Sequence, residues 1–213
     1  MSINILIDEI LSIELFSNII VSLKNVCLGF IIAFFLAMLI AILLNESKLL
    51  NYIFYPILEL LRPIPNAGWV PIAIIMFNAL QESILFITFI GAFFPMFINI
   101  YRALDNIPNN YLIIGKLYKL NTIDKIFKIK IPAIIPHIYT AMMVGVSGSW
   151  LSLIMAEMIS GKSGLGYYTW KNYTLLNYEK LFIGVIFMGI IGALFSGVIS
   201  FFSRKVKKIY SLR

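Results

Sequence analysis

An all-α, polytopic transmembrane helical bundle of about five spans is the fold class this sequence predicts, and three observations predict it. Hydrophobic residues make up 61% of the 213-residue chain and charged residues only 13%, with a mean hydropathy of +0.93. A soluble domain of this size has too few polar residues to cover so much apolar surface. Long apolar stretches alternate with short polar ones, as membrane-spanning helices require. The cations cluster beside those stretches, so the net charge of +7 reads as a positive-inside bias rather than as a nucleic-acid surface. The alternation of a β-barrel strand is not visible. The single Cys27 forms no intrachain disulfide, and one cysteine with one histidine supplies neither a metal set nor a cofactor site.

In chain order, residues 1–15 read as an external amphipathic N-terminal segment. Asp8, Glu9 and Glu14 without a basic residue argue against a cleavable signal peptide. The first span is Asn18–Leu44. Lys24 near its start reads as a snorkelling cation, with a functional intramembrane lysine as the alternative. The second apolar region, Tyr52 to about Asn78, is punctuated by Arg62-Pro63-Ile64-Pro65 and by Pro71. Proline removes a backbone donor, so this is either a kinked packing helix or a break covered by protein or a water-lined cavity. Glu59 and Arg62 stand one turn apart and can pair; Arg62 facing an anionic substrate is the other reading.

Ser83–Leu104 is the third span, holding Gly91 and Pro95, and Ala133–Met158 is the fourth. In the fourth, Ala141, Gly145, Gly148 and Ser149 present small side chains that either pack helices closely or line a pathway. His137 reads as interfacial, and Glu157 as an interfacial acid or a gate residue. Ile159–Lys180 reads as an external polar loop with turn glycines Gly161, Gly164 and Gly166. Its Tyr167, Tyr168, Trp170, Tyr173 and Tyr178 fit an aromatic belt. Its GKSGLG does not meet the Walker spacing and follows no strand, so it is not a phosphate loop. Leu181–Phe202 is the last span, with Gly184, Gly189, Gly192 and Gly197 as packing positions, closed by Ser203-Arg204-Lys205-Val206-Lys207-Lys208.

Between the third and fourth spans lies Asp105–Pro136, with Lys116, Lys119, Lys125, Lys128 and Lys130. Leu112, Ile113, Leu117 and Leu120 follow helical spacing. The expectation is a short amphipathic helix closed by Pro132 and Pro136; a basic loop lying at the membrane surface is the alternative. Eleven of the seventeen Lys and Arg fall in the Glu46–Asn51 turn, in this loop and in the tail from Arg204 onward. The positive-inside rule then puts the C-terminus in the cytoplasm and the N-terminus outside.

Several stretches carry a family resemblance. Leu61-Arg62-Pro63-Ile64-Pro65-Asn66-Ala67-Gly68-Trp69-Val70-Pro71-Ile72-Ala73-Ile74 resembles the proline-rich run of sulfonate, taurine and nitrate-type ABC importer permeases. Gly91-Ala92-Phe93-Phe94-Pro95, Ala156-Glu157-Met158 and Ser163-Gly164-Leu165-Gly166-Tyr167 resemble further elements of that family, and Ile129-Lys130-Ile131-Pro132 resembles the tail of its EAA loop. The head of that loop departs: the family's Glu-Ala-Ala falls on Ile113, Ile114 and Gly115, and its glycine on Lys119. Relatives also commonly carry one more N-terminal span.

The resemblance implies the type I (MetI-like) importer permease fold over residues 16–208, with a cytoplasmic coupling loop 105–132 and a tail at 209–213. It implies a permease without bond chemistry in a bacterial cell membrane. Its partners would be cytoplasmic ABC ATPase subunits, an extracytoplasmic substrate-binding protein and a second copy of the permease. ATPase coupling would fall to Tyr111, Ile113, Ile114, Gly115, Lys116, Leu117 and Lys119. Pathway or gate candidates are Arg62, Pro65, Trp69, Pro71, Gly145, Gly148, Ser149 and Glu157. The implied cargo is a small anion such as a sulfonate, taurine or nitrate, with a thiamine-pyrimidine or other vitamin precursor as the alternative. A secondary transporter or channel would need mid-span ionisable residues, which are nearly absent here. A membrane enzyme would need a convergent catalytic set.

Overall fold

The computed structural model describes residues 12–211, and these are helices joined by short turns, with no strand among them. The elements are α1 (Ile13–Glu46), α2 (Lys48–Leu61), α3 (Asn66–Met76), α4 (Leu80–Asp105), α5 (Asn109–Leu117) and α6 (Thr122–Lys125). A π turn (Ile126–Lys130) then leads into α7 (Ile131–Ser160), followed by α8 (Leu165–Thr174) and α9 (Tyr178–Ser211). Most of the predicted 1–15 segment lies outside the described residues, as do the last two residues of the tail. What is described of each belongs to α1 and α9.

Helices α1, α4, α7 and α9 are long and apolar enough to cross a membrane. The second predicted span is not one helix but two, α2 and α3, broken at Arg62–Pro65. Pro65 caps the second half with φ −63° and ψ 141°, an extended conformation that fits proline and ends the preceding helix. At membrane depth such a break needs cover. Asn66 supplies it by donating to Ser152 Oγ of α7 at 2.6 Å. The two halves also dock on a ladder of rings along α4. Phe86, Phe89, Phe93, Phe97 and Tyr101 recur at helical spacing, with neighbouring centroids 5.2–6.4 Å apart. Tyr55 of α2 lies on Tyr101 at 4.8 Å, and Trp69 of α3 meets Phe86 edge-on at 6.4 Å.

Helix α4 is the centre of the bundle. Against it α1 lays Ala33, Ala37 and Ala41, all fully buried and four residues apart, so the two helices approach closely. Against its other side α7 lays Gly145 on Met96 and Gly148 on the backbone of Gly91. The expected packing role of α9's glycines holds for two of them: Gly184 seats Thr169 and Tyr168, and Gly192 seats Trp150, whereas Gly189 and Gly197 face open space.

Two expectations are corrected at the helix ends. Pro132 and Pro136 close nothing: they sit in the first turns of α7, where the missing N–H is tolerated or the helix absorbs it. The Ile159–Lys180 loop contains α8, and Tyr168 is fully buried rather than part of an aromatic belt, while Trp170, Tyr173 and Tyr178 remain exposed.

Candidate functional site

The broken span opens a recess of about 490 Å³ lined by Arg62, Asn66, Pro95, Asn99, Ser147 and Gly148 among others. The helix break brings Arg62 there by ending α2 one residue earlier. Its guanidinium is half-exposed and only loosely paired with Glu59, at 3.5 Å, while Tyr55 holds Glu59 by donating its hydroxyl at 3.0 Å. A loosely paired arginine keeps most of its five donors free, a fork suited to planar or tetrahedral oxyanions. Of the sequence-predicted pathway residues, the recess collects Arg62 and Gly148. Pro65 and Pro71 are exposed on the broken span. Trp69 packs on Phe86, with its indole N–H buried and unpaired. Gly145 and Ser149 serve packing: Ser149 is buried and donates to the Val146 carbonyl.

At the opposite end of α7 stands a second polar centre, and it corrects the reading of Glu157 as an interfacial acid. Glu157 is fully buried. Its carboxylate accepts from the Ser22 hydroxyl at 2.8 Å and from the Gly166 N–H at 2.9 Å. Ser22 in turn accepts from the Leu165 N–H, and Asn18 Oδ1 accepts from the Gly164 N–H, at 2.8 and 2.7 Å. These are the orphan N–H groups at the start of α8, the end of a helix that attracts a carboxylate. Gly164 has φ +102°, and a Cβ there would stand 2.2 Å from the Glu157 carboxyl carbon. Only glycine lets the loop close over the acid. Nearby, Lys171 donates to Glu14 at 2.7 Å, and that hydrogen bond holds its ammonium above the usual lysine range.

The basic loop forms the third centre, at the other end of the bundle. Tyr111, Ile113 and Leu117 of α5 are exposed, and so are Tyr118, Ile123 and Phe127 in the segment that follows it. The helical period of the sequence continues through Ile123, Ile126 and Phe127 past the break at Asn121-Thr122, but Tyr118, Ile123 and Phe127 do not figure among the sequence-predicted coupling residues. Gly115 does not face outward. It is buried, with Ile129 of the π turn 2.9 Å from where a Cβ would lie. Lys119 has φ +48° and follows the end of α5, where the Leu120 N–H donates to the Gly115 carbonyl at 3.0 Å. That is a left-handed helix stop, the conformation glycine adopts freely. The side chains of Ile114 and Lys116 lie outside the described ones.

The model of the family described as "Binding-protein-dependent transport system inner membrane component" matches residues 28–208. The chain belongs to that family. It is 31% identical to the nitrate import permease NrtB of Leptolyngbya laminosa over 90% of this chain and 69% of that one. It is also 31% identical to the bicarbonate transport system permease CmpB of Synechococcus elongatus, over 89% and 69%. A putative aliphatic sulfonates transport permease of Bacillus subtilis, SsuC, is 28% identical over 94% and 73%. A crystal structure titled as an amino acid ABC transporter with histidines shares the fold, with a TM-score of 0.72, 17% identity, and 90% and 93% coverage.

A binding-protein-dependent permease is a transport subunit and not an enzyme; it is an inner-membrane component whose ATPase and substrate-binding protein are separate partners. The resemblance to the EAA loop sets a glycine against Lys119, and the left-handed backbone there gives that expectation a physical meaning. A left-handed residue with a Cβ costs roughly 1 kcal/mol, part of which glycine returns as unfolded-state entropy. Lys119→Gly should therefore stabilise the detergent-purified permease by up to about 1 kcal/mol and raise its thermal midpoint accordingly. Lys119→Ala should leave it unchanged. A lower midpoint for the glycine variant would contradict the strain at this position.

Proposed function

We propose that this importer permease passes a small oxyanion, and that the Arg62 recess lines the path. The observation that carries the reading is the recess itself: a helix break at mid-span with a loosely paired arginine, two asparagines and a serine around it. Nitrate, bicarbonate and sulfonate permeases among the relatives have oxyanions in their names, and one fork of donors serves all three chemistries. Two copies of the chain close the recess between them. ATPase subunits dock on the exposed Tyr111, Ile113 and Leu117 together with Tyr118, Ile123 and Phe127, with Lys119 at the rim. The binding protein delivers at the glycine-loop end. The basic loop and the basic tail put the C-terminus in the cytoplasm and the N-terminus outside.

The test is uptake by the importer reconstituted with its ATPase and binding protein, offered nitrate, bicarbonate and an alkanesulfonate in turn. Losing a hydrogen bond to a charged partner is worth about 1.5–3 kcal/mol. Arg62→Gln should thus cut uptake of the accepted anion about tenfold or more, with basal ATP hydrolysis retained. Wild-type uptake by that variant would remove the recess from the pathway.

A further inference from the structure

Lys130 is the last residue of the π turn and is 6% exposed. Such turns shift the register of the side chains that follow, and they recur where a helix must aim one of them. The side chain aimed here is a cation. Its ammonium is ion-paired with the Glu46 carboxylate and donates to the Asn45 amide oxygen, at the last turn of α1. Lys125, one turn of the loop earlier, approaches the same carboxylate at 4.0 Å. The opposite end of α1 is also tied, through Asn18 and Ser22, to the glycine loop and Glu157. Between the two knots α1 is a single helix without proline, whereas α2, α3 and α4 each contain one and α7 contains two. Proline is the usual site of a helix bend. At 1.5 Å per residue, α1 is a rod about 50 Å long.

We infer that Lys130 and Glu46 are a positioning pair: they fasten the ATPase-facing loop to α1, and α1 carries displacement of that loop across the membrane to the glycine loop. A rod held at both ends by buried polar contacts moves as a body; freed at one end, it lets the loop follow the ATPases alone. Nucleotide can shift the conformational equilibrium only through a difference in affinity between its states, and that difference reaches the far side only through a joint that does not slip. The inference rests on the assignment of the basic loop to the ATPase contact.

The test needs no knowledge of the cargo. In a Cys27→Ser background, Tyr173→Cys on the exposed face of α8 is labelled with an environment-sensitive fluorophore. The full permease is assembled with its ATPase in proteoliposomes and trapped with ATP and vanadate. The unaltered pair should give a nucleotide-dependent fluorescence change. Lys130→Met, or the gentler Glu46→Gln, should reduce it about tenfold, within the range of coupling between distant sites, while ATP hydrolysis continues. The exchange Glu46→Lys with Lys130→Glu should restore much of it. A label response that survives both single substitutions would overturn the inference. So would equal loss of response and hydrolysis without rescue by the exchange, since that is the signature of a merely structural pair. A permease that draws no ATPase at all would overturn the loop assignment, and the latch with it.

Discussion

Gly148→Ala should sharply reduce the amount of folded permease recovered after mild detergent extraction. Helices α4 and α7 cross with backbone against backbone. A Cβ at Gly148 would stand 2.2 Å from the Gly91 carbonyl oxygen, and one at Gly91 would stand 2.0 Å from Ser152 Oγ and 2.7 Å from the Gly148 carbonyl oxygen. A flexible side chain could swing away from such a clash; the carbonyl of a helix buried on several sides cannot. The helices would have to separate along the most enclosed stretch of α4, drawing Ser152 away from Asn66 and opening the cover over the broken span. Ordinary overpacking costs about 1–3 kcal/mol. A backbone clash at the central crossing should reach the top of that range or exceed it, a large share of a typical stability of about 5–15 kcal/mol. Gly197→Ala is the matched control, because a Cβ there meets nothing within 4 Å; it should be neutral or gain a few tenths of a kcal/mol from helix propensity. The check is the monodisperse yield and thermal midpoint of both variants. Similar values for the two would mean that the α4–α7 crossing is looser than this geometry.

What the sequence disclosed, and what it withheld, divides along the range of the interaction. Long apolar runs are a local signal, and they place α1, α4 and α7 within about five residues of their ends, whereas α9 runs nine residues past the predicted Phe202, through the basic stretch to Ser211. The ends themselves moved because hydropathy does not register caps. Ser12 accepts from the Leu15 N–H and Ser47 from the Leu50 N–H, which starts α1 and α2 earlier than their apolar residues suggest. Helix α8 was missed for a related reason. Its buried face, Leu165, Tyr168, Thr169 and Asn172, keeps helical spacing, but half of it is polar, so the stretch reads as a loop. The roles of Glu157 and Lys130 were further out of reach. One depends on Ser22 and the other on Glu46, each remote in sequence, and no local pattern tells a buried carboxylate at a helix end from a wet one. Gly115 shows the converse: a position matched to a docking motif proves to be occupied with packing on Ile129.

Removing the Glu157 carboxylate is the second substitution with a large expected effect, and it separates the glycine loop from the rest of the bundle. Glu157→Ala strips the acceptor from two buried donors, the Ser22 hydroxyl and the Gly166 N–H. Each unsatisfied donor costs about 1–3 kcal/mol, so the pair should lower stability by roughly 2–6 kcal/mol. The cavity left beneath Gly164 adds to that. Glu157→Gln keeps one acceptor for Gly166 and presents a donor toward Ser22, whose oxygen already accepts from Leu165. Its cost should be roughly half as large or less. The consequence is local before it is global, because the start of α8 is held down by this acid and its partners. Lys162 is exposed beside the loop and offers a readout: trypsin should cut there much faster in the alanine variant, and only modestly faster in the glutamine one. Unchanged cleavage in both would show that Asn18 and Ser22 hold the loop without the acid. Equal acceleration in both would make the charge, rather than the count of satisfied donors, the quantity that matters. The expected order, alanine well beyond glutamine and glutamine beyond wild type, follows from the count of buried donors that each variant leaves unsatisfied.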